Sequence, residues 1–74
     1  MNVQNLIKMA NQIGAFFEAM PDRTQATADV AAHIKRSWEP RMREALIFHV
    51  DKEGGGQLKE IVQEALRVHR QTLV

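Results

Sequence analysis

Two prolines and a run of three glycines, Pro21, Pro40 and Gly54-Gly55-Gly56, cut this chain of 74 residues into four short pieces. Within each piece the apolar residues recur every three or four positions, the spacing that places them on one face of an α-helix; strands would need strict alternation. The expected fold is all-α, a small bundle of three to four helices. No internal repeat, low-complexity tract or long linker interrupts the sequence, so residues 1–74 read as a single helical domain, too short for two cores.

The spacing predicts helices over about residues 2–20, 22–38, 40–52 and 58–70. In the first, Asn2 caps the free N–H groups and Pro21 prevents continuation. Val3, Leu6, Ala10, Ile13, Phe17 and Met20 share one face. Ile7 and Gly14 widen that face on one side, and Met9 and Phe16 on the other, to an arc near 180° at 100° per residue. A surface helix usually buries little more than about 100°, so this one either lies between two others or offers an edge to another protein. Gly14 admits a close neighbouring backbone, at a cost of about 1 kcal/mol in helix propensity.

Asp22, followed three residues later by Gln25, resembles a capping box and starts the second helix. Its stripe is Thr27, Val30, Ala31, Ile34 and Trp38, with Ala26, Ala28 and Ala32 keeping it slim. Glu39 precedes a proline and is pushed to an extended conformation, while Pro40 suits the first position of a third helix. That helix gathers Met42, Ala45, Leu46, His49 and Val50 and leaves Ile47 and Phe48 pointing elsewhere. The glycines end it. The fourth turns Ile61, Val62, Ala65, Leu66 and Val68 inward, sets Arg67 and Arg70 near its negative end, and leaves residues 72–74 to fray.

Ten basic residues against nine acidic ones give a net charge of +1, too weak a field to draw the chain to nucleic acid or anionic lipid. No apolar run approaches the roughly 20 residues of a membrane span, and the N-terminus has none of the blocks of a secretory signal. A cytoplasmic chain is expected. With no cysteine there is no disulfide framework, thiolate zinc site or cysteine nucleophile. His33, His49 and His69 lack the spacing of a helical zinc motif, and the last two fall in apolar arcs, as core or interface histidines do. Asp51-Lys52-Glu53-Gly54-Gly55-Gly56 is no calcium loop, because its twelfth position is Val62 where a bidentate glutamate is needed. Nor does a Lys-Ser or Lys-Thr pair open the fourth helix to cradle phosphate. No serine sits in a nucleophile elbow, and a substrate pocket of about 300 Å³ would leave so small a domain little interior. The chain is expected to be non-catalytic, with no catalytic, cofactor or metal residue of its own.

Arg41 and Arg43 beside Trp38 and Met42 have the composition of a protein interface. Asn11 and Gln12 carry uncharged amides where any helix former would serve, which is compatible with interface hydrogen bonds.

Two blocks carry a resemblance: Met9-Ala10-Asn11-Gln12-Ile13 followed by Phe16-Phe17, and His33-Ile34 followed by Trp38-Glu39-Pro40-Arg41-Met42-Arg43. Together they resemble the delta subunit family of soluble, NAD-dependent, molybdenum-containing formate dehydrogenases, over roughly Val3 to Leu66. The resemblance implies a small accessory subunit that supports assembly or stability of a cytoplasmic enzyme oxidising formate and reducing NAD. It also implies that molybdopterin, iron–sulfur clusters, FMN and NAD reside in the larger subunits and none in this chain. The expected partner is the catalytic alpha subunit, and the expected docking surface comprises Met9, Asn11, Gln12, Phe16, Trp38, Pro40, Arg41 and Arg43. The alternatives are a self-associating helical module, in which a homodimer covers the wide arc of the first helix, and a small metal-dependent enzyme using the histidines.

Overall fold

The computed structural model describes residues 2–74. It contains α1 (Val3–Phe17), α2 (Arg23–Ser37), α3 (Pro40–Glu53), α4 (Glu60–Val68) and a short α5 (Arg70–Leu73), and no strand among the described residues. Five helices thus stand where three to four were expected, the fourth having broken in two.

Local chemistry explains most of the boundaries. Asn2 Oδ1 accepts from the Gln4 N–H at 2.8 Å and opens α1. This helix stops at Phe17, three residues before the expected end, because a proline at position 21 clashes with the carbonyl four residues back, that of Phe17, and disfavours helix at Met20. Asp22 Oδ1 accepts from the Gln25 N–H at 3.1 Å and opens α2. The capping box is only half made, since the Gln25 amide turns to Asp29 Oδ1 at 2.9 Å. Glu39 is extended, with φ −67° and ψ 153°, and Pro40 is the first residue of α3. Gly54 ends α3 at φ 88°, a conformation that side chains with a Cβ rarely adopt.

Long-range partners set the remaining boundaries. Helix α4 begins at Glu60 rather than near Leu58, whose side chain folds into the core. Lys59, its N-cap, has no side-chain oxygen to offer. Asn11 of α1 holds the approach instead: its Oδ1 accepts from the Lys59 N–H at 2.9 Å and its Nδ2 donates to the Gln57 carbonyl at 3.0 Å. The helix breaks at His69, after which α5 turns Leu73 into the core at 1% exposure. Leu73 was expected to fray, but a buried leucine and a hydrogen bond to its carbonyl hold it in place.

The core lies where α2 crosses α1 and α4: Leu6, Ile7 and Ala10 meet Val30 and Ile34, and Ile61, Val62 and Ala65 close the far side. Leu46 and Ile47 of α3 cover its end, so Ile47 packs inside rather than pointing away, and only Phe48 remains out. Val68, expected inward, is 58% exposed as the last residue of α4, while Ala65 and Leu66 in the same turn stay buried. The close approach at Gly14 is made by side chains, not backbone: a Cβ there would lie 2.7 Å from Val62 Cγ2 and 3.1 Å from Ile61 Cγ2. No helix among the described residues is long and apolar enough to cross a membrane.

Candidate partner-docking surface

Helix α1 carries a single charged residue, Lys8, in a chain of which 26% is charged. Its outward positions are Gln4, Asn5, Lys8, Met9, Gln12, Ala15 and Phe16, all exposed. A solvated helix face normally alternates charges of both signs, whereas interfaces are poor in Lys, Glu and Asp and rich in aromatic residues and methionine. Met9 is 38% exposed and Phe16 77%, and helical spacing puts Gln12 between them on one stripe. The rest of the wide arc is used internally: α1 packs against α2, α3 and α4 at once.

Phe16 is exposed but oriented. Its ring meets Phe17 edge-to-face, with centroids 4.9 Å apart and planes at 86°. Beside it, Gln12, Ile13, Phe16, Phe17 and His33 line an open cleft of about 270 Å³. His33 comes from α2, its ring 6.2 Å from that of Phe17, and its Nδ1 lies 3.3 Å from Arg36 Nη2. The cleft is thus apolar on the α1 side except for the Gln12 amide, and polar on the α2 side.

The eight residues expected at an interface divide into three groups. Met9, Gln12 and Phe16 share the exposed stripe. Pro40 and Arg41 are exposed at the start of α3 but do not line the cleft. Asn11, Trp38 and Arg43 are engaged within the chain. Asn11 bridges α1 to the Gln57–Lys59 approach of α4. Trp38 is 4% exposed, the last member of the α2 stripe. Arg43 is 7% exposed; its Nη1 donates to the carbonyls of Trp38 at 2.7 Å and Lys35 at 3.4 Å, and its Nε to that of Leu73 at 3.0 Å. Carbonyls at the C-terminal end of α2 carry partial negative charge, which favours a cation there without a carboxylate.

Sequence spacing missed the contribution of His33 to the cleft, because it depends on how α2 crosses α1. Ile13 and Phe17 were legible as members of the α1 face. A second open cleft, of about 280 Å³, lies between α2 and α4 beside Arg23, Thr27, Glu64 and His69. There Arg23 Nη2 donates to Glu64 Oε1 at 2.9 Å, and this bond holds the Glu64 carboxyl below its usual range. The same happens at Asp51, whose carboxyl is lowered by two hydrogen bonds from Arg70, at 3.1 and 2.6 Å. Both pairs clamp helices together and are internally neutralised. Among the described residues no three His, Cys, Asp or Glu side chains gather to hold a metal, and no buried side-chain N or O lacks a hydrogen-bond partner.

Neither the curated proteins nor the solved structures include a match to this chain. A scan against protein families matches residues 5–66 to the family described as the NADH-dependent formate dehydrogenase delta subunit, FdsD. The match begins in the first turns of α1, spans Met9, Gln12, Phe16 and the α2–α3 corner, and ends in α4. With most of its length matched, this all-helical chain belongs to the FdsD family of formate dehydrogenase delta subunits.

Proposed function

We propose that the chain is a non-catalytic accessory subunit that docks on a larger subunit of a formate dehydrogenase, the catalytic alpha subunit, and supports assembly or stability of the complex. The observation that carries this reading is Phe16, an oriented aromatic ring 77% exposed on an almost uncharged helix face, in a chain of the delta subunit family. Interfaces draw much of their energy from a few such aromatic anchors, and burying this ring contributes about 2 kcal/mol. In this reading molybdopterin, iron–sulfur clusters, FMN and NAD are held by the larger subunits, the reaction takes place there, and the complex is cytoplasmic.

The test is co-purification of the larger subunits with the tagged chain from its native cell. Phe16→Ser combined with Arg41→Ala is expected to release the chain while its circular dichroism stays that of the wild type. Undiminished recovery of the larger subunits with the double variant would overturn the docking surface. A dimer of the isolated chain that persists when the larger subunits are present would favour self-association instead. Deleting the chain is expected to lower the yield of assembled dehydrogenase.

A further inference from the structure

Chemistry at the rim of the α1 cleft specifies what enters it. Helix α1 lines it with Ile13, Phe16 and Phe17 and one uncharged amide, Gln12, a mostly apolar lining that suits an aliphatic or aromatic side chain and no charged one. The opposite rim is His33, with Arg36 held against it at 3.3 Å. Guanidinium is always a donor, so His33 Nδ1 accepts and Nε2–H is left as the ring's own donor.

Arg36 stands in the last turn of α2, where a basic residue is ordinarily explained by the helix dipole. Here the carbonyls of Lys35 and Trp38 are already taken by Arg43, and Arg36 reaches back one turn to His33 instead. It meets no carboxylate within ion-pair distance among the described residues. Helix α1 has no acidic residue, Glu18 just beyond it is engaged by Lys59 Nζ at 3.1 Å, and Asp29 on α2 accepts from Gln25. The rim therefore presents positive charge and donors with no acid of this chain to answer them.

We infer that the cleft receives an apolar side chain from a segment of the partner subunit that carries a carboxylate within one helical turn, the carboxylate meeting the Arg36–His33 rim. This rests on the docking reading above and narrows it to the chemistry of one segment. The contact is reciprocal: Phe16 projects toward the partner while the partner's side chain fills the space between Phe16 and His33. A second copy of this chain answers the rim poorly, because the face of α1 offers no carboxylate.

Two measurements on the assembled complex test the inference. A photoreactive benzoylphenylalanine in place of Gln12 is expected to crosslink to an apolar residue of another subunit with Asp or Glu within four positions, identified by mass spectrometry of the crosslinked peptide. Crosslinking to a second copy of this chain, or to a segment without an acid, would overturn it. Arg36→Gln is expected to weaken binding of the purified larger subunits about three- to tenfold at low salt and to reduce the salt dependence of the wild type, since rim charges act through screened attraction. Phe16→Ser separates the two levels of the argument. If it leaves the complex whole, docking at this face fails; if it dissociates the complex while Arg36→Gln behaves as wild type, docking stands and the carboxylate assignment falls.

Discussion

Arg43 is a buried cation without a carboxylate, its guanidinium donating instead to three carbonyl oxygens. Its fork reaches Trp38 and Leu73 together, which fixes the α2–α3 corner and α5 with one side chain. Lysine, with a single ammonium, cannot reproduce that geometry. Arg43→Met keeps the volume of the stem but leaves two interior carbonyls without their charged donors, and hydrogen bonds to charged groups are worth about 1.5–3 kcal/mol each before relaxation. We expect a loss of about 2–4 kcal/mol, read as a lowered midpoint in urea by circular dichroism, with Arg43→Lys recovering only part of it. An arginine that acted on the partner directly would instead lose binding with its midpoint unchanged.

Helix α1 lies so close to α4 that Gly14 is the point of contact, and this decides the sign of a substitution that propensity alone would favour. Alanine gains about 1 kcal/mol in a helix interior. Its Cβ would sit 2.7 Å from Val62 Cγ2, and forcing an extra carbon into a packed contact costs about 1–3 kcal/mol. Gly14→Ala is therefore expected to lower the thermal midpoint, and Val62→Ala in the same chain to relieve the clash, a coupling that a double-mutant cycle measures. The sequence made this element legible as far as its own neighbours reach: the Asn2 and Asp22 caps, Pro40 as a first helical residue and the glycine stop all follow from adjacent residues. What it did not disclose depends on partners far along the chain. Asn11 looked like a free amide because Lys59 is 48 positions away, and Arg43 looked like an exposed interface arginine because Leu73 is 30 away. Pro21 does more than bar continuation of α1, since its ring also excludes the turn before it and ends the helix at Phe17. Met9 and Phe16 are legible from the width of the arc and Gln12 only as an uncharged amide beside it, whereas His33 and Arg36 join the cleft only through the crossing of α2 over α1.

Helices tied together by exposed ion pairs respond to acid through those pairs. Asp51–Arg70 ties α3 to α5, Glu64–Arg23 ties α2 to α4, and neither pair belongs to the α1 stripe. Both carboxyls are lowered below their usual range, chiefly by the hydrogen bonds that the arginines donate. A carboxyl whose value is lower in the folded chain binds fewer protons there than when unfolded, so stability falls as protons are added. Its contribution is complete above the ordinary carboxylate range, near pH 4, and is lost as the pH drops through the depressed folded values. Solvent screens both pairs, so the loss is shallow rather than a sharp collapse. A series of thermal midpoints taken from neutral pH down to pH 3 is expected to stay level until the carboxylate range and then decline. In the Asp51→Asn, Glu64→Gln double variant the midpoint is expected to start lower and to decline less. An undiminished decline in that variant would place the acid-sensitive contacts elsewhere.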